Sequence, residues 1–192
     1  MLNVLLVDAT PQGVSALGRA LGEVEGVRVA CTVDAPLELA KRIEEHRPDI
    51  VLIDTDSPSR DVLEQLAAVS ASAPRPVVMF TGDGNHDAIR ASLRAGVSAY
   101  IVDGIAPERL APIMRVAIER FAADQGLRAE LLAVKSRLEE RKVVERAKGI
   151  LMKQRGASED EAFALLRSLA MQRGVQLGEA ARQVIDVARL LG

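Results

Sequence analysis

Two hydrophobic rhythms alternate over the first hundred residues, and a single rhythm takes over afterwards. Short apolar runs at residues 3–7, 27–33, 49–53, 76–80 and 99–102 have the length and β-branched content of strands. Between them, residues 14–21, 37–45, 62–69 and 88–95 repeat apolar positions at the three- and four-residue spacing of amphipathic helices. Five such β/α alternations predict an α/β fold with a doubly wound five-stranded parallel sheet, in which function gathers beyond the carboxyl ends of the strands. From Pro107 the helical pattern runs on through Ile113, Val116, Ala117 and Phe121, and Gly126 weakens it only locally. Leu127, Leu131, Val134 and Leu138 then follow at intervals of four, three and four, the spacing of a pairing helix, over less than two heptads. That helix can pair with a second subunit or pack inside its own chain.

The long helix is expected to end near Gly156, placed for a left-handed cap. Ser158 and Glu161 form an S-x-x-E capping box that opens a second helix through Ala162, Phe163, Leu166 and Leu169 to Gly174. A third begins near Leu177, with Ala181, Val184, Ile185, Ala188 and Leu191 along one face. Phe163, Met152 and Met171 are assigned to the core of this small bundle. At 192 residues and 48% hydrophobic, the chain has room for one good core and a smaller second unit.

Charge divides the chain in the same place. Residues 1–126 carry 12 Lys and Arg against 18 Asp and Glu, whereas residues 127–192 carry 13 against 9, so the second part is the candidate for an acidic partner. The excess is concentrated in RKVVERAKGILMKQRG, residues 141–156, where Arg141, Lys142, Arg146, Lys148, Lys153 and Arg155 face a single acid, Glu145. Val144, Ala147 and Leu151 give this helix an apolar back, leaving the cations on its other faces. With no Trp, one Tyr and three Phe, none of them in the basic stretch, base-stacking platforms are excluded.

One cysteine, Cys31, cannot form an intramolecular disulfide and reads as strand packing in a reducing compartment. No apolar run reaches the roughly 20 residues of a membrane span, and the N-terminus lacks a signal-peptide pattern, so a cytoplasmic protein is expected. His46 and His86 have no evident nucleophile or metal-ligand partners, which argues against an enzyme.

The carboxyl ends of the expected strands hold Asp8, Asp54, Thr81 with Gly82, and Asp103. The segments LLVD, VLID and MFTG, followed by AGVSAYIVDG, resemble the receiver domain of bacterial response regulators over residues 1–120, with the flavodoxin-like strand order of that family. The resemblance implies that Asp54 accepts a phosphoryl group, that acids after the first strand hold Mg²⁺, and that Thr81 senses the phosphoryl oxygen. Two positions depart from the family pattern: Ala9 replaces a second acid, and Asp103 replaces the Lys that pairs with the phosphoryl group. Asp8 and Asp54 remain as Mg²⁺ ligands, with Asp103 available as a third. Without the Lys, a phosphorylated Asp54 would place a dianion beside a carboxylate, so phospho-switching is expected to be weakened.

AKGILM and the capped helix SEDEAFALLRSLAM resemble the ANTAR domain, the RNA-binding output module of antiterminator response regulators, over residues 136–192. A connecting helix over 107–140, a possible coiled coil, would join it to the receiver. The combination resembles the nitrate-assimilation and amidase type. It implies binding of paired hairpins in leader mRNA and transcription antitermination within a two-component phosphorelay. Arg141, Lys142, Arg146, Lys148 and Lys153 are the expected RNA contacts, then Arg167 and Arg173, with Lys148 and Arg167 reading bases. Gly149 costs about 1 kcal/mol in a helix interior, a cost accounted for if RNA or a neighbouring helix comes close there. A homodimer through Leu127, Leu131, Val134 and Leu138 would present two such surfaces, under the control of a sequestering sensor protein or a histidine kinase. A DNA-binding response regulator is the competing expectation, weakened by a third helix whose only cations are Arg182 and Arg189.

Overall fold

In a computed structural model of the chain, all residues are described except 9–14, 35–38, 104–105 and 192, and the side chain of residue 191. Ala9, and the starts of the expected helices at Val14 and Leu37, lie outside the described residues. The chain divides into two compact units, Met1–Gln125 and Gly126–Gly192.

The first unit is the expected α/β sheet. Strands β1 (Leu2–Asp8), β2 (Val27–Val33), β3 (Ile50–Asp54), β4 (Val77–Thr81) and β5 (Ala99–Val102) pair in parallel in the order β2-β1-β3-β4-β5, the flavodoxin-like order. The helices are α1 (Ala16–Gly22), α2 (Leu39–His46), α3 (Arg60–Ser72), α4 (His86–Arg94) and α5 (Pro107–Arg155).

Alternation along the strands splits the core between the two faces of the sheet. Leu5, Val7, Val51, Ile53, Val77 and Met79 point to one side, where Leu39 and Ile43 of α2 and Leu66 and Val69 of α3 cover them. Val4, Leu6, Ile50, Leu52, Val78 and Phe80 point to the other, against Leu17 and Leu21 of α1 and Leu110 and Met114 of α5. Burying each large aliphatic side chain contributes about 1.5–3 kcal/mol, so the sheet is held on both sides. Gly96 turns the chain into β5 at φ 100°, where a Cβ would stand 2.6 Å from the Ser70 hydroxyl oxygen. Only glycine fits there.

Helix α5 runs unbroken for 49 residues from Pro107 to Arg155, passing Pro112 and Gly126. In the second unit its last turns pack with α6 (Glu159–Arg173) and α7 (Leu177–Leu191). Val144, Ala147, Leu166, Ala181 and Ile185 make the buried core, with Val143, Ile150, Leu151, Leu177 and Val184 around it. The capping box is formed, the Ser158 hydroxyl accepting from the Glu161 N–H and the Glu161 carboxylate from the Ser158 N–H. Gly156 and Gly174 both take left-handed φ of 65°.

Three core assignments are corrected. Phe163 is 42% exposed, Met152 is exposed and Met171 is 76% exposed. The bundle closes on aliphatic and alanine side chains, which let the three helices approach without an aromatic.

Candidate functional site

Two surfaces carry chemistry, one in each unit. In the first, parallel pairing puts Asp8 and Asp54 side by side at the ends of β1 and β3. Asp8 is buried, and its Oδ2 accepts the Ser15 N–H at 3.1 Å; the Ser15 hydroxyl caps α1. Burial, then the Asp8 charge, pushes the Asp54 carboxyl above the ordinary aspartate range; Asp56 adds to this, and hydrogen bonds from Ser15 and the Leu17 backbone oppose it.

Asp54, Asp56, Thr81, Gly82 and Asp103 line a cavity of about 250 Å³ with Ala16, Thr55, Phe80 and Ile101. Among the described residues, no lysine or arginine lines it. Asp103 sits just past β5 with φ 50°, a left-handed conformation aspartate tolerates, its N–H bonded to the Thr81 carbonyl at 3.1 Å. The Thr81 hydroxyl donates to the Asp56 carbonyl at 2.8 Å and accepts from the Asp83 N–H at 3.1 Å, so it is tied to the loop after β3. That loop continues into a chain of bonds in which the Ser57 hydroxyl and the Asn85 N–H donate to the Asp83 carboxylate, and the Tyr100 hydroxyl donates to its carbonyl.

Two adjacent carboxylates, one of them with its charge disfavoured, suit a hard divalent cation, and Mg²⁺ is commonly held by one or two carboxylates with water and a phosphoryl oxygen. Asp8 and Asp54 fit that role. Asp103 lines the same cavity as Asp54, although among the described residues no three acidic, histidine or cysteine side chains are grouped to hold a metal. Asp56 was not anticipated as part of this pocket, although its place two residues after Asp54 is a readable signal. Ser15 was missed as well; its position before the apolar run Ala16–Leu17 marks it as a cap.

In the second unit, Arg141, Lys142, Arg146, Gly149, Lys153, Arg167 and Arg173 are all exposed. Lys142, Arg146, Gly149 and Lys153 follow at intervals of four, three and four, so they share one face of α5, turned away from Val144, Ala147 and Leu151. Gly149 sits amid these cations, and a Cβ built on it meets nothing within 4 Å. Packing by a neighbouring helix of the same unit therefore does not account for the glycine. Lys142 is paired with Glu139 at 2.8 Å, and the Arg173 guanidinium with the Gln183 side-chain oxygen.

Lys148 has a different fate. It is 8% exposed, with its ammonium 3.0 Å from the Glu145 carboxylate and 2.6 Å from that of Glu159 in the first turn of α6. The hydrogen bonds its ammonium donates to Glu159 and then to Glu145 raise its pKa above the ordinary lysine value, and the Glu159 carboxyl is held down by the same contact. Its expected role as a base reader is corrected: it pins α5 to the start of α6. Along α5, Leu127, Leu131, Val134 and Leu138 are all more than half exposed.

Residues 4–115 match the response regulator receiver domain, and residues 132–185 match the ANTAR domain. The chain is a receiver-plus-ANTAR response regulator. It belongs to two-component signalling, and both of its domains are regulatory rather than catalytic. It is 30% identical over 162 residues to the transcriptional regulatory protein PdtaR of Mycobacterium tuberculosis, covering 84% of this chain and 79% of that one. A nitrate regulatory protein of Klebsiella oxytoca is 35% identical over 83 residues, which are 43% of this chain and 20% of that one. Among solved structures, the receiver domain of a modulated diguanylate cyclase from Desulfovibrio desulfuricans G20 aligns with TM-score 0.55 and 22% identity over 65% of this chain and 98% of that one. A CheY-like receiver from Methanospirillum hungatei JF-1 aligns with TM-score 0.54 and the same identity and coverage. Both show the receiver fold. Among the described residues, no helix of this response regulator is long and apolar enough to cross a membrane.

Proposed function

We propose that this response regulator binds paired hairpins in leader mRNA and promotes transcription antitermination. The observation that carries the reading is the exposed 4-3-4 face of α5, with Lys142, Arg146 and Lys153 around an open Gly149, within a segment that matches the ANTAR domain. Such a face lets a phosphate backbone lie close along the helix while Arg141, Arg167 and Arg173 extend the cationic surface. Arg167 is the candidate base reader. Functionally, residues 1–120 act as the sensing unit, 107–140 as the connecting helix and 136–192 as the RNA-binding unit. Exposed Leu127, Leu131, Val134 and Leu138 bring two copies together, so that two hairpins are held with the avidity of linked sites.

Control passes through the first unit. Asp54 is the phosphoacceptor if the protein is phosphorylated, with Mg²⁺ on Asp8 and Asp54; a histidine kinase or acetyl phosphate would supply the phosphoryl group. Because Asp103 lies where a cation would answer the phosphoryl charge, release from a sequestering sensor protein is the favoured trigger. The regulated genes are those of nitrate or nitrite assimilation, a reading supported by the partial similarity to the nitrate regulatory protein. The protein acts in the cytoplasm.

Gel shifts of the full chain with leader RNA and with promoter duplex test the reading. Tight, salt-sensitive RNA binding is expected, weakened at least tenfold in an Arg146→Gln/Lys153→Gln variant. Preference for duplex DNA would overturn it in favour of a DNA-binding regulator.

A further inference from the structure

A cavity beside α2 lies in the first unit, at the end of the sheet opposite Asp54. About 480 Å³ in volume, it is lined by Ala40, Lys41, Ile43, Glu44 and Arg47 from α2 and its end, and by Ser72, Ala73 and Arg75 from the end of α3 and the turn into β4. Three of these eight residues are cationic and one is acidic, in a unit whose overall charge is negative. Lys41, Arg47 and Arg75 form no ion pair among the described residues, Glu44 included. The neighbouring Glu45 carboxylate is engaged by Arg42 at 3.3 Å, and Asp49 accepts the Asn3 N–H.

Arg75 is held rather than neutralised. Its Nε donates to the Pro48 carbonyl at 3.1 Å and one terminal nitrogen to the Pro74 carbonyl at 2.9 Å, which fixes the plane of the guanidinium and leaves its charge uncompensated. Two of its three nitrogens are engaged in this way, and the remaining terminal nitrogen is left to donate to a phosphoryl oxygen. Arg47 takes φ 44° as the left-handed residue that ends α2, its N–H bonded to the Ile43 carbonyl at 2.9 Å, and its side chain lines the same wall. Ala40, Ile43 and Ala73 supply the apolar part of the lining.

We infer that this cavity is a binding site for a phosphorylated small molecule, with Lys41, Arg47 and Arg75 on the phosphoryl oxygens and the apolar wall against the organic body. Its volume lies within the range of about 300–1,000 Å³ usual for small-molecule sites, larger than an isolated phosphate fills. The site is separate from Asp54 and involves no phosphoryl transfer.

Calorimetric titration of the full chain at constant ionic strength, with ADP, pyrophosphate and inorganic phosphate as probes, tests the inference. ADP or pyrophosphate is expected to bind at least tenfold more tightly than inorganic phosphate. ADP ahead of pyrophosphate assigns a contribution to the organic body, and parity assigns the affinity to the phosphoryl groups. Arg47→Gly removes the cation while keeping a residue at ease with positive φ, so the fold is retained, as thermal melting will show. With Lys41→Gln added, affinity should fall at least tenfold, whereas Arg90→Gln on α4 should leave it unchanged. No binding of any probe at millimolar concentration overturns the inference, as does full affinity in the double variant. Loss of leader-RNA binding in that variant, with no small anion bound, assigns the face to nucleic acid and overturns it equally.

Discussion

Asp54 and Lys148 have opposite electrostatic situations, and each gives a measurable consequence. The Asp54 carboxyl is raised by burial and by Asp8, so its ionised form opposes folding at neutral pH, and the penalty is relieved as pH falls through its raised value toward that of an unfolded aspartate. Asp54→Asn is therefore expected to raise the urea midpoint at pH 7, modestly because the site is partly solvated, and the gain over wild type should shrink at acidic pH. An unchanged midpoint at pH 7 would show that a cation already neutralises the pair. Lys148 instead holds two carboxylates in place. The depressed Glu159 value means that its contribution is present above the ordinary carboxylate range and lost as pH falls through the depressed one. Lys148→Gln should lower the melting temperature of the second unit at neutral pH and remove that acid limb. The salt dependence of RNA binding should stay the same. Lys153→Gln should do the reverse, leaving melting intact and flattening the slope by about 0.7 if the contacted RNA is single-stranded.

Among the elements, α5 carries the sharpest test because it contains both the exposed leucines and the cationic face. Eleven residues separate Leu131 from Lys142 and Leu138 from Gly149, close to three turns, so both pairs stand on nearly the same side of the helix. Gly149 lies where that side meets nothing in its own unit. Gly149→Ala is expected to stabilise the helix by up to about 1 kcal/mol, read as a higher melting temperature. If a backbone of RNA approaches there, the added methyl should weaken RNA binding despite the greater stability. Higher stability with unchanged affinity would mean that the glycine is spared by RNA.

At the level of the whole molecule, a row of leucines exposed on a 49-residue helix is a poor arrangement for a permanent monomer, since exposed apolar stripes mark association surfaces. Replacing Leu131 and Leu138 with Lys should convert a dimer to a monomer by light scattering. Affinity for a two-hairpin RNA should fall by at least tenfold, while affinity for a single hairpin should change little. Equal loss on both RNAs would show that pairing shapes each surface rather than linking two of them. Acetyl phosphate offers the complementary trial: with Asp103 at the pocket, it should raise dimerisation and RNA affinity by less than tenfold.

Local physics made much of this protein readable before any folding was considered. The strand–helix alternation, the acidic strand ends, the helix running from Pro107 to the turn before Gly156, and the Ser158–Glu161 capping box each depend on residues close in sequence, and each is present in the structure. The fates of individual side chains were less legible where several faces of an element are equally apolar. Helix α6 carries Ala162, Phe163, Leu165, Leu166, Leu169, Ala170 and Met171 around most of its circumference, so its periodicity does not choose an inner face. Packing against α5 and α7 chooses it, leaving Phe163 and Met171 outside. Lys148 was misread for the same reason, since a lysine in a basic run resembles its neighbours until a partner such as Glu159 arrives from the next helix. The carboxylate pocket divides likewise. Its aspartates were visible as strand-end residues, but the enclosure of Asp54 by Asp8 and Asp56, and the tethering of Thr81 to Asp56, exist only once parallel pairing brings the strand ends together. Sequence settles what can be built from neighbours along the chain, while burial and charge pairing depend on neighbours in space.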